Sequence, residues 1–308
     1  MKNVLVITNP YSGKEVVNDN LDEMKSILYS NGYDPIFVKT KSRGHATEIV
    51  NSIDGVDLVI SDGGDGTLHE VVVGNLKRKK PLTIAHLPTG TTNDFGHSLG
   101  YEKDKLLALR QILTGEEKEV DFFSINDVPF VYVVGAGQFL NIPYSTSKEQ
   151  KNKFGHMAYL TDGVKAWMKG TKKYPIKYEI DGREFETDTS ILLVGNSKRV
   201  AGFNFFKEDI VKMDDGLFEF VIIDVSTRLE LLTEASKLLF KGITKINKAK
   251  VIQTDNLKIK FYEPLLHDWC IDGERFEEEN EDLEYEFKKC NKVKMLLPKK
   301  NLNKLFTK

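Results

Sequence analysis

The ten residues Ser61-Asp62-Gly63-Gly64-Asp65-Gly66-Thr67-Leu68-His69-Glu70 carry three glycines in four positions. A short apolar run at 56–60 precedes them, and a helical apolar pattern over 68–76 follows them. The segment is therefore predicted to be a strand, a glycine-rich turn and a helix. Glycine allows positive φ and lets the backbone approach a ligand closely. The amides of the turn and of the first helical residues would then form a site for an anion.

Asp65 stands inside this turn, where a bare phosphate would repel its carboxylate. The residue fits an anion site if Mg²⁺ lies between the two negative charges, or if it holds the turn through hydrogen bonds. A tight turn with an aspartate cap, without any ligand, is the alternative that a glycine-rich segment alone leaves open.

The rest of residues 1–125 alternates short apolar runs, at 4–8, 35–40, 57–61 and 82–86, with helical apolar faces. This alternation predicts a parallel sheet with helices on both faces. Ligands of such sheets bind beyond the carboxyl ends of the strands. All four ends carry small or hydroxylated residues: 9–14, 40–44, 63–67 and 87–95. Their amides and hydroxyl groups favour a polyphosphate site.

Two familiar nucleotide fingerprints are absent from these loops. Ser12-Gly13-Lys14-Glu15 lacks the serine or threonine that holds Mg²⁺ after the lysine of a Walker A loop. Gly64-Asp65-Gly66 is followed by His69 where a dinucleotide fingerprint requires glycine. The sequence therefore favours neither a P-loop enzyme nor a Rossmann-type oxidoreductase.

From about residue 126 the pattern becomes β-rich, with apolar runs at 130–134, 176–180, 190–194, 217–223, 257–261 and 269–271. Asp181-Gly182 is a hairpin signal, and Asp272-Gly273 between two short strands is open to the same interpretation. One helical stripe is predicted over 157–167. A second stripe, predicted to be core, comprises Leu229, Leu232, Ala235 and Leu239, after a capping-box pattern at 227–230.

Composition limits the class of protein. The chain has 308 residues, a formal net charge of −2 and two cysteines. This length suggests two domains, and the charge gives no basic field for nucleic acid. Two thiols favour a reducing compartment. There is no signal-peptide pattern, and no apolar run approaches the ~18 residues that span a bilayer. We therefore expect a cytoplasmic protein without a transmembrane segment or a nucleic-acid partner.

Three motifs together resemble the diacylglycerol kinase catalytic domain, and more narrowly the soluble bacterial lipid kinases of that family. They are Asn9-Pro10-Tyr11-Ser12-Gly13, the stretch 63–71 and Leu87-Pro88-Thr89-Gly90-Thr91-Thr92-Asn93-Asp94-Phe95. The Gly-Gly-Asp-Gly-Thr core is shared with NAD kinases, and the third motif is more specific. The resemblance implies an α/β nucleotide-binding domain at 1–125 and an inserted β-sandwich-like lipid domain at 126–289. Residues 290–308 would return to the first domain.

The resemblance also assigns roles to individual residues. The nucleotide would contact Asn9, Pro10, Tyr11, Ser12, Gly13, Thr40, Gly63, Gly64, Asp65, Gly66, Thr67, Leu68, His69, Thr91 and Asn93. Asp65 would be catalytic, and either Asp272 or Glu274 would be the general base. Asp65 and Asp94 are candidates for the catalytic Mg²⁺. A second Mg²⁺ would bind Asp215 and the carbonyl groups of Lys212 and Leu217, although 214–216 taken alone is typical of a turn.

The activity that the resemblance implies is an ATP- and Mg²⁺-dependent lipid kinase. Its leading acceptor is diacylglycerol, which would yield phosphatidic acid at a membrane surface. Transient, peripheral membrane association and a homodimer are part of this expectation. Phosphatidylglycerol or a sphingoid base is an alternative acceptor. An NAD kinase-like enzyme acting on a soluble nucleotide, and a catalytically silent nucleotide- or lipid-binding protein, are the alternative functions.

Overall fold

The computed structural model describes residues 1–10, 20–137, 172–207, 209–276 and 283–307. The chain divides into two compact units. The first unit comprises Met1–Phe122 together with Asn291–Lys308, and the second comprises Phe123–Cys290. The helix predicted over 157–167 and the predicted site residues Tyr11, Ser12 and Gly13 lie outside the described residues.

The α-helices are α1 (Leu21–Ser30), α2 (His45–Ser52), α3 (Asp65–Leu76), α4 (Asp94–Leu99), α5 (Lys105–Leu113), α6 (Arg228–Lys241) and α7 (Leu302–Leu305). Short 3-10 turns span Ile243–Lys245 and Lys299–Asn301. The strands are β1 (Lys2–Thr8), β2 (Tyr33–Lys39), β3 (Leu58–Gly63), β4 (Thr83–Pro88), β5 (Glu116–Val120), β6 (Phe123–Ile125), β7 (Val128–Phe130), β8 (Val133–Gly137), β9 (Tyr174–Ile180), β10 (Arg183–Thr189), β11 (Ile191–Gly195), β12 (Arg199–Val200), β13 (Phe203–Asn204), β14 (Phe218–Ile223), β15 (Ala249–Thr254), β16 (Asn256–Phe261), β17 (Trp269–Ile271), β18 (Glu274–Phe276), β19 (Glu284–Lys289) and β20 (Val293–Leu297).

A six-stranded sheet in the order β2-β1-β3-β4-β20-β5 organises the first unit. Strands β1 to β4 pair in parallel, β20 is parallel to β4, and β5 is antiparallel to β20. All six residues of β3 are buried, as is usual for a parallel strand covered on both faces. The predicted α/β fold is confirmed. The register sets Thr8 beside Asp62 and Gly63 beside Pro88, so the ends of β1, β3 and β4 are level.

Helix α3, which follows the glycine-rich turn, is fixed firmly against α2. A Cβ atom at Gly74 would lie 2.6 Å from the carbonyl oxygen of Thr47, so the two helices meet backbone to backbone. The carboxylate of Glu70 accepts hydrogen bonds from the amides of Gly44, at 2.8 Å, and Ala46, at 3.1 Å, at the start of α2. Capping and close packing thus hold α3 against α2.

The second unit contains two six-stranded sheets whose pairs are antiparallel, in the orders β10-β9-β16-β19-β6-β7 and β15-β14-β11-β8-β17-β18. Strands β12 and β13 form a separate pair. One aromatic-rich core lies between the sheets, and Phe123 on β6 meets Phe218 on β14 edge to face at 5.1 Å. The predicted β-sandwich-like second domain is confirmed, and so is the hairpin at Asp181-Gly182.

One prediction about helix packing is wrong. Leu229 was expected in a buried stripe, but 75% of it is exposed. Periodicity groups Leu229 with the apolar face of α6, whereas burial depends on what that part of the helix packs against. None of the helices in the described part of the chain has the length and apolar character that a membrane span requires.

Candidate active site

The turns after β3 and β4 touch through their backbones. Strand β3 ends at Gly63, and Gly64 is the N-cap of α3. A Cβ atom at Gly90 would lie only 2.4 Å from the Cα atom of Gly64, so no side chain fits at position 90. A Cβ atom at Gly63 would lie 2.3 Å from Oγ1 of Thr67. These glycines are therefore required by close approach rather than by a positive φ.

Asp65 links the two turns through hydrogen bonds. Its buried carboxylate accepts the amides of Asp94, at 2.9 Å, and Phe95, at 3.2 Å, which begin α4. The sequence left two roles open for Asp65, a contact with Mg²⁺ and hydrogen bonding within the loops. The structure shows the hydrogen bonds. The carboxylate thereby fixes the position of α4 relative to α3.

A second acidic residue, Asp62, joins three strand ends and was not predicted to have a role. Its buried carboxylate accepts Thr8 Oγ1 at 2.9 Å, Thr89 Oγ1 at 3.2 Å and Lys105 Nζ at 2.7 Å. The ammonium group of Lys105 thus forms an ion pair with this buried carboxylate. Its place in the motif, just before Gly63, was the only sequence signal.

The loop after β1 belongs to the same group of residues. The amide of Asn9 donates to the carbonyl oxygen of Asp62 at 3.1 Å, and its side-chain amide donates to Thr67 Oγ1 at 3.3 Å. Pro10 follows at the surface. The amide of Thr40, after β2, donates to the carbonyl oxygen of Thr8 at 2.9 Å. The structure thus brings Asn9, Thr40 and Thr67 to one edge of the sheet.

The remaining predicted nucleotide contacts differ in exposure. Asn93 has a φ of 50°, and its side chain donates to the carbonyl groups of Pro88, at 3.0 Å, and Gly90, at 2.7 Å, so it shapes its own loop. Thr91 is exposed and His69 is half-buried. Leu68 has a fully buried side chain, so only its backbone is available to a ligand.

Gly66 is the exposed point of the first turn of α3. A Cβ atom there would meet nothing within 4 Å beyond its own helix. The amides of Thr67 and Leu68 both donate to the carbonyl oxygen of Gly64, at 3.0 and 3.1 Å. Among residues 65–68 only Gly66 is exposed, and it lies at the positive end of the dipole of a twelve-residue helix, beside the glycine turn. This arrangement can hold phosphate oxygens.

In the second unit, Asp272 and Gly273 form the turn between β17 and β18, with φ values of 49° and 86°. The Asp272 carboxylate accepts three successive amides: Val131 at 2.7 Å, Tyr132 at 2.9 Å and Val133 at 3.1 Å. The apolar run predicted at 130–134 is not one strand. It is divided between β7, which ends at Phe130, and β8, which begins at Val133, and the amides of 131–133 donate to the Asp272 carboxylate. Glu274, two residues later, is exposed.

The segment predicted to bind the second Mg²⁺ is a turn that leads into β14. Oδ1 of Asp215 accepts the amide of Leu217 at 2.9 Å, and Gly216 has a φ of 80°. Glu219, which follows, is only 1% exposed; Oε1 accepts Gln253 Nε2 at 3.1 Å, and Oε2 has no hydrogen-bond partner within the described residues. Burial raises the pKa of Glu219 to about 8, and the charge of Asp215 adds to this effect.

A cluster of three or more His, Cys, Asp or Glu side chains that could hold a metal is absent from the described residues. Any cation near Asp215 would thus depend on backbone carbonyl groups and water, which Mg²⁺ accepts as ligands. The buried Oε2 of Glu219 is compatible with positive charge near this turn, because a cation would stabilise its ionised form.

This chain is similar to known proteins both in sequence and in fold. The family described as "Diacylglycerol kinase catalytic domain" matches residues 3–125. A diacylglycerol kinase of Staphylococcus aureus (strain JH9) is 32% identical over 232 residues, covering 75% of this chain and 73% of that protein. A diacylglycerol kinase of Bacillus subtilis (strain 168) is 28% identical over 263 residues, covering 84% and 86%.

Among solved structures, a putative diacylglycerol kinase from Bacillus anthracis str. Sterne superposes with a TM-score of 0.77 at 25% identity, covering 96% of this chain and 97% of that chain. The fold and the strand-end loops define a kinase with an α/β catalytic unit. The chain belongs to the diacylglycerol kinase family, as its motifs predicted. Membership in this family implies ATP as the phosphoryl donor.

Proposed function

We propose that this chain is a lipid kinase that transfers the γ-phosphoryl group of ATP to the free hydroxyl group of diacylglycerol and releases phosphatidic acid. The observation that carries the proposal is the backbone contact between Gly64 and Gly90, which joins the family's two glycine motifs at one sheet edge. Family membership supplies the substrate class.

The nucleotide phosphates are assigned to the first turn of α3 at the exposed Gly66, because the positive end of the helix dipole favours negative charge there. Residues on the neighbouring loops complete the assignment: Asn9, Pro10, Thr40, Gly63, Gly64, Asp65, Gly66, Thr67, His69, Thr91 and Asn93. Leu68 contributes only through its backbone. Tyr11, Ser12 and Gly13 keep the role that the resemblance implies.

Transfer requires the acceptor oxygen to attack the γ-phosphorus, ADP to leave and the hydroxyl proton to be taken up. We assign the role of general base, which takes up this proton, to Glu274, because its side chain is exposed. Asp272 is a positioning residue instead, because three amides already occupy its carboxylate and hold Val131–Val133 against the turn. The two residues that the sequence could not separate thus receive different roles.

Mg²⁺ bound with ATP would neutralise phosphate charge, and Asp65 and Asp94 remain the candidates for positioning it. The second Mg²⁺ is assigned to Asp215 and to the carbonyl groups of Lys212 and Leu217. The partnerless Oε2 of the nearby Glu219 supports this assignment.

The second Mg²⁺ assignment can be tested by thermal unfolding without nucleotide or lipid. Mg²⁺ at about ten times its Kd should raise the Tm by about 3–5 °C. Asp215→Asn should lose this response, while Asp214→Asn, at the neighbouring position, should keep it. An equal response of the wild type and Asp215→Asn would contradict the assignment.

The proposed activity is tested with labelled ATP and the intact chain. Diacylglycerol in mixed micelles should yield labelled phosphatidic acid, and chelation of Mg²⁺ should stop the transfer. Phosphatidylglycerol, a sphingoid base and NAD⁺ serve as competing acceptors in parallel. Label in NADP⁺ alone would favour the NAD kinase-like alternative, and ATP binding without any transfer would favour the silent binding protein.

A lipid acceptor also requires the enzyme to reach a bilayer. We therefore include transient, peripheral association with a membrane surface in the proposal. The cytoplasmic location stays a prediction of the sequence, and the homodimer stays a prediction of the family resemblance.

A further inference from the structure

Helix α6 exposes two large apolar side chains to solvent. Phe240 is 79% exposed and Leu229 is 75% exposed; among large apolar residues in the described part of the chain, only Met1, at 76%, is comparable. They are eleven positions apart, which at ~100° per residue places them within about 20° of each other around the helix axis. Both therefore lie on one outward line along α6.

The positions between them on this line are exposed but uncharged. Thr233 Oγ1 donates to the carbonyl oxygen of Leu229 at 2.8 Å, and Ser236 Oγ donates to that of Thr233 at 2.7 Å. Each hydroxyl group is thus satisfied by the helix itself and can leave water at little cost. We call Leu229, Thr233, Ser236 and Phe240 the outward stripe.

The two acidic residues of α6 are engaged elsewhere. Glu230 completes the predicted capping box, which the structure confirms, and pairs with Lys248 at 3.3 Å. Glu234 is buried and accepts Lys237 at 2.7 Å and the amide of Asn247 at 3.1 Å. Neither carboxylate would therefore repel an anionic surface laid against the outward stripe.

Lysines surround the C-terminal end of the helix. Lys207 Nζ donates to the carbonyl oxygen of Phe240 at 2.6 Å. Lys241, which directly follows Phe240 in the chain, and Lys245, in the 3-10 turn after the helix, are both exposed. An exposed aromatic ring among lysines is the pattern of an interfacial anchor: the ring enters the acyl boundary and the ammonium groups meet headgroup phosphates.

We propose that α6 docks on an anionic membrane surface through the outward stripe, with Phe240 and its neighbouring lysines as the main contact. The inference rests on the proposed function, since a lipid kinase must reach its acceptor in a bilayer. The basic run at 77–80 is a poorer candidate. Arg78 is engaged with the carbonyl groups of Val50 and Ile53, and no exposed large apolar residue accompanies the run among the described residues.

Sedimentation with vesicles tests the docking surface without catalysis. The wild type should bind phosphatidylglycerol-containing vesicles more tightly than phosphatidylcholine vesicles. Phe240→Ser should weaken binding about tenfold, because the buried ring area is lost, while Leu107→Ser, at an exposed helical leucine of the first unit, should not. Lys241→Gln should weaken binding about fivefold and Lys79→Gln should leave it unchanged.

A kinase assay separates this inference from the proposed function. Phe240→Ser should lose activity on diacylglycerol in vesicles but keep it on a short-chain, water-soluble diacylglycerol. Wild-type binding by Phe240→Ser, or equal wild-type binding to both vesicle types, would overturn the docking inference alone. A dimer that Phe240→Ser converts into a monomer would assign the surface to a second copy and overturn it as well. A wild type inactive on both substrate forms would reject the proposed function instead.

Discussion

Glu274→Gln is expected to lower turnover with diacylglycerol by about 100- to 10,000-fold, because glutamine cannot accept the hydroxyl proton. The side chain is exposed, so the substitution should leave the free energy of unfolding unchanged. ATP binding should also be retained, since the residues proposed to bind the nucleotide belong to the first unit. Steady-state kinetics, urea unfolding and equilibrium ATP binding measure the three quantities.

Asp272→Asn is the matched comparison for Glu274→Gln. An asparagine side chain cannot accept all three amides with both of its polar groups, so at least one buried amide loses its acceptor. The free energy of unfolding should fall by about 3 kcal/mol. Activity should fall only as far as the protein unfolds or residues 131–133 move. If Asp272→Asn unfolds like the wild type and loses turnover, while Glu274→Gln stays active, Asp272 is the base and the assignment is reversed.

Gly90→Ala is expected to lower kcat/KM for ATP by about 100-fold. The new methyl group would lie 2.4 Å from the Cα atom of Gly64 and 3.1 Å from its nitrogen, so the two loop backbones must move apart. A displacement of about 1 Å at a phosphate cradle suffices for a loss of this size. Kinetics with varied ATP, together with thermal unfolding, would measure the effect.

Gly66→Ala is the control for the Gly90 substitution, since the added methyl group has open space before a ligand binds. Alanine favours helix over glycine, so the stability should stay equal or rise slightly. If ATP phosphates lie against this turn, ATP affinity should nevertheless fall by about tenfold. Unchanged ATP affinity in Gly66→Ala would show that the phosphates bind elsewhere, and a fully active Gly90→Ala would exclude the loop contact as a requirement.

The fold and the strand-end loops could be predicted because their signals are local. Apolar runs, helical periodicity and glycine spacing within ten residues indicated β3, the turn and α3 before any long-range contact was known. The parallel register then followed from the alternation of strands and helices. Family motifs added the inserted second domain, which periodicity alone could not indicate.

The long-range partners could not be predicted. The Asp62 carboxylate meets Lys105, 43 positions later, and Asp272 meets Val131, 141 positions earlier. No local pattern specifies such pairs, because they depend on how complete elements pack. The same reason explains why the predicted burial of Leu229 is wrong. Periodicity assigned Leu229 to an apolar helix face, but the sequence does not indicate which part of that face packs against the rest of the protein.

The position of β20 between β4 and β5 has a consequence for biosynthesis. The sheet of the first unit lacks an interior strand until residues 293–297 leave the ribosome, although β1 to β4 emerge early. Residues 123–290 are continuous in the chain and need no such late partner. The second unit can therefore fold first, whereas the first unit waits for β20 with the facing edges of β4 and β5 unpaired.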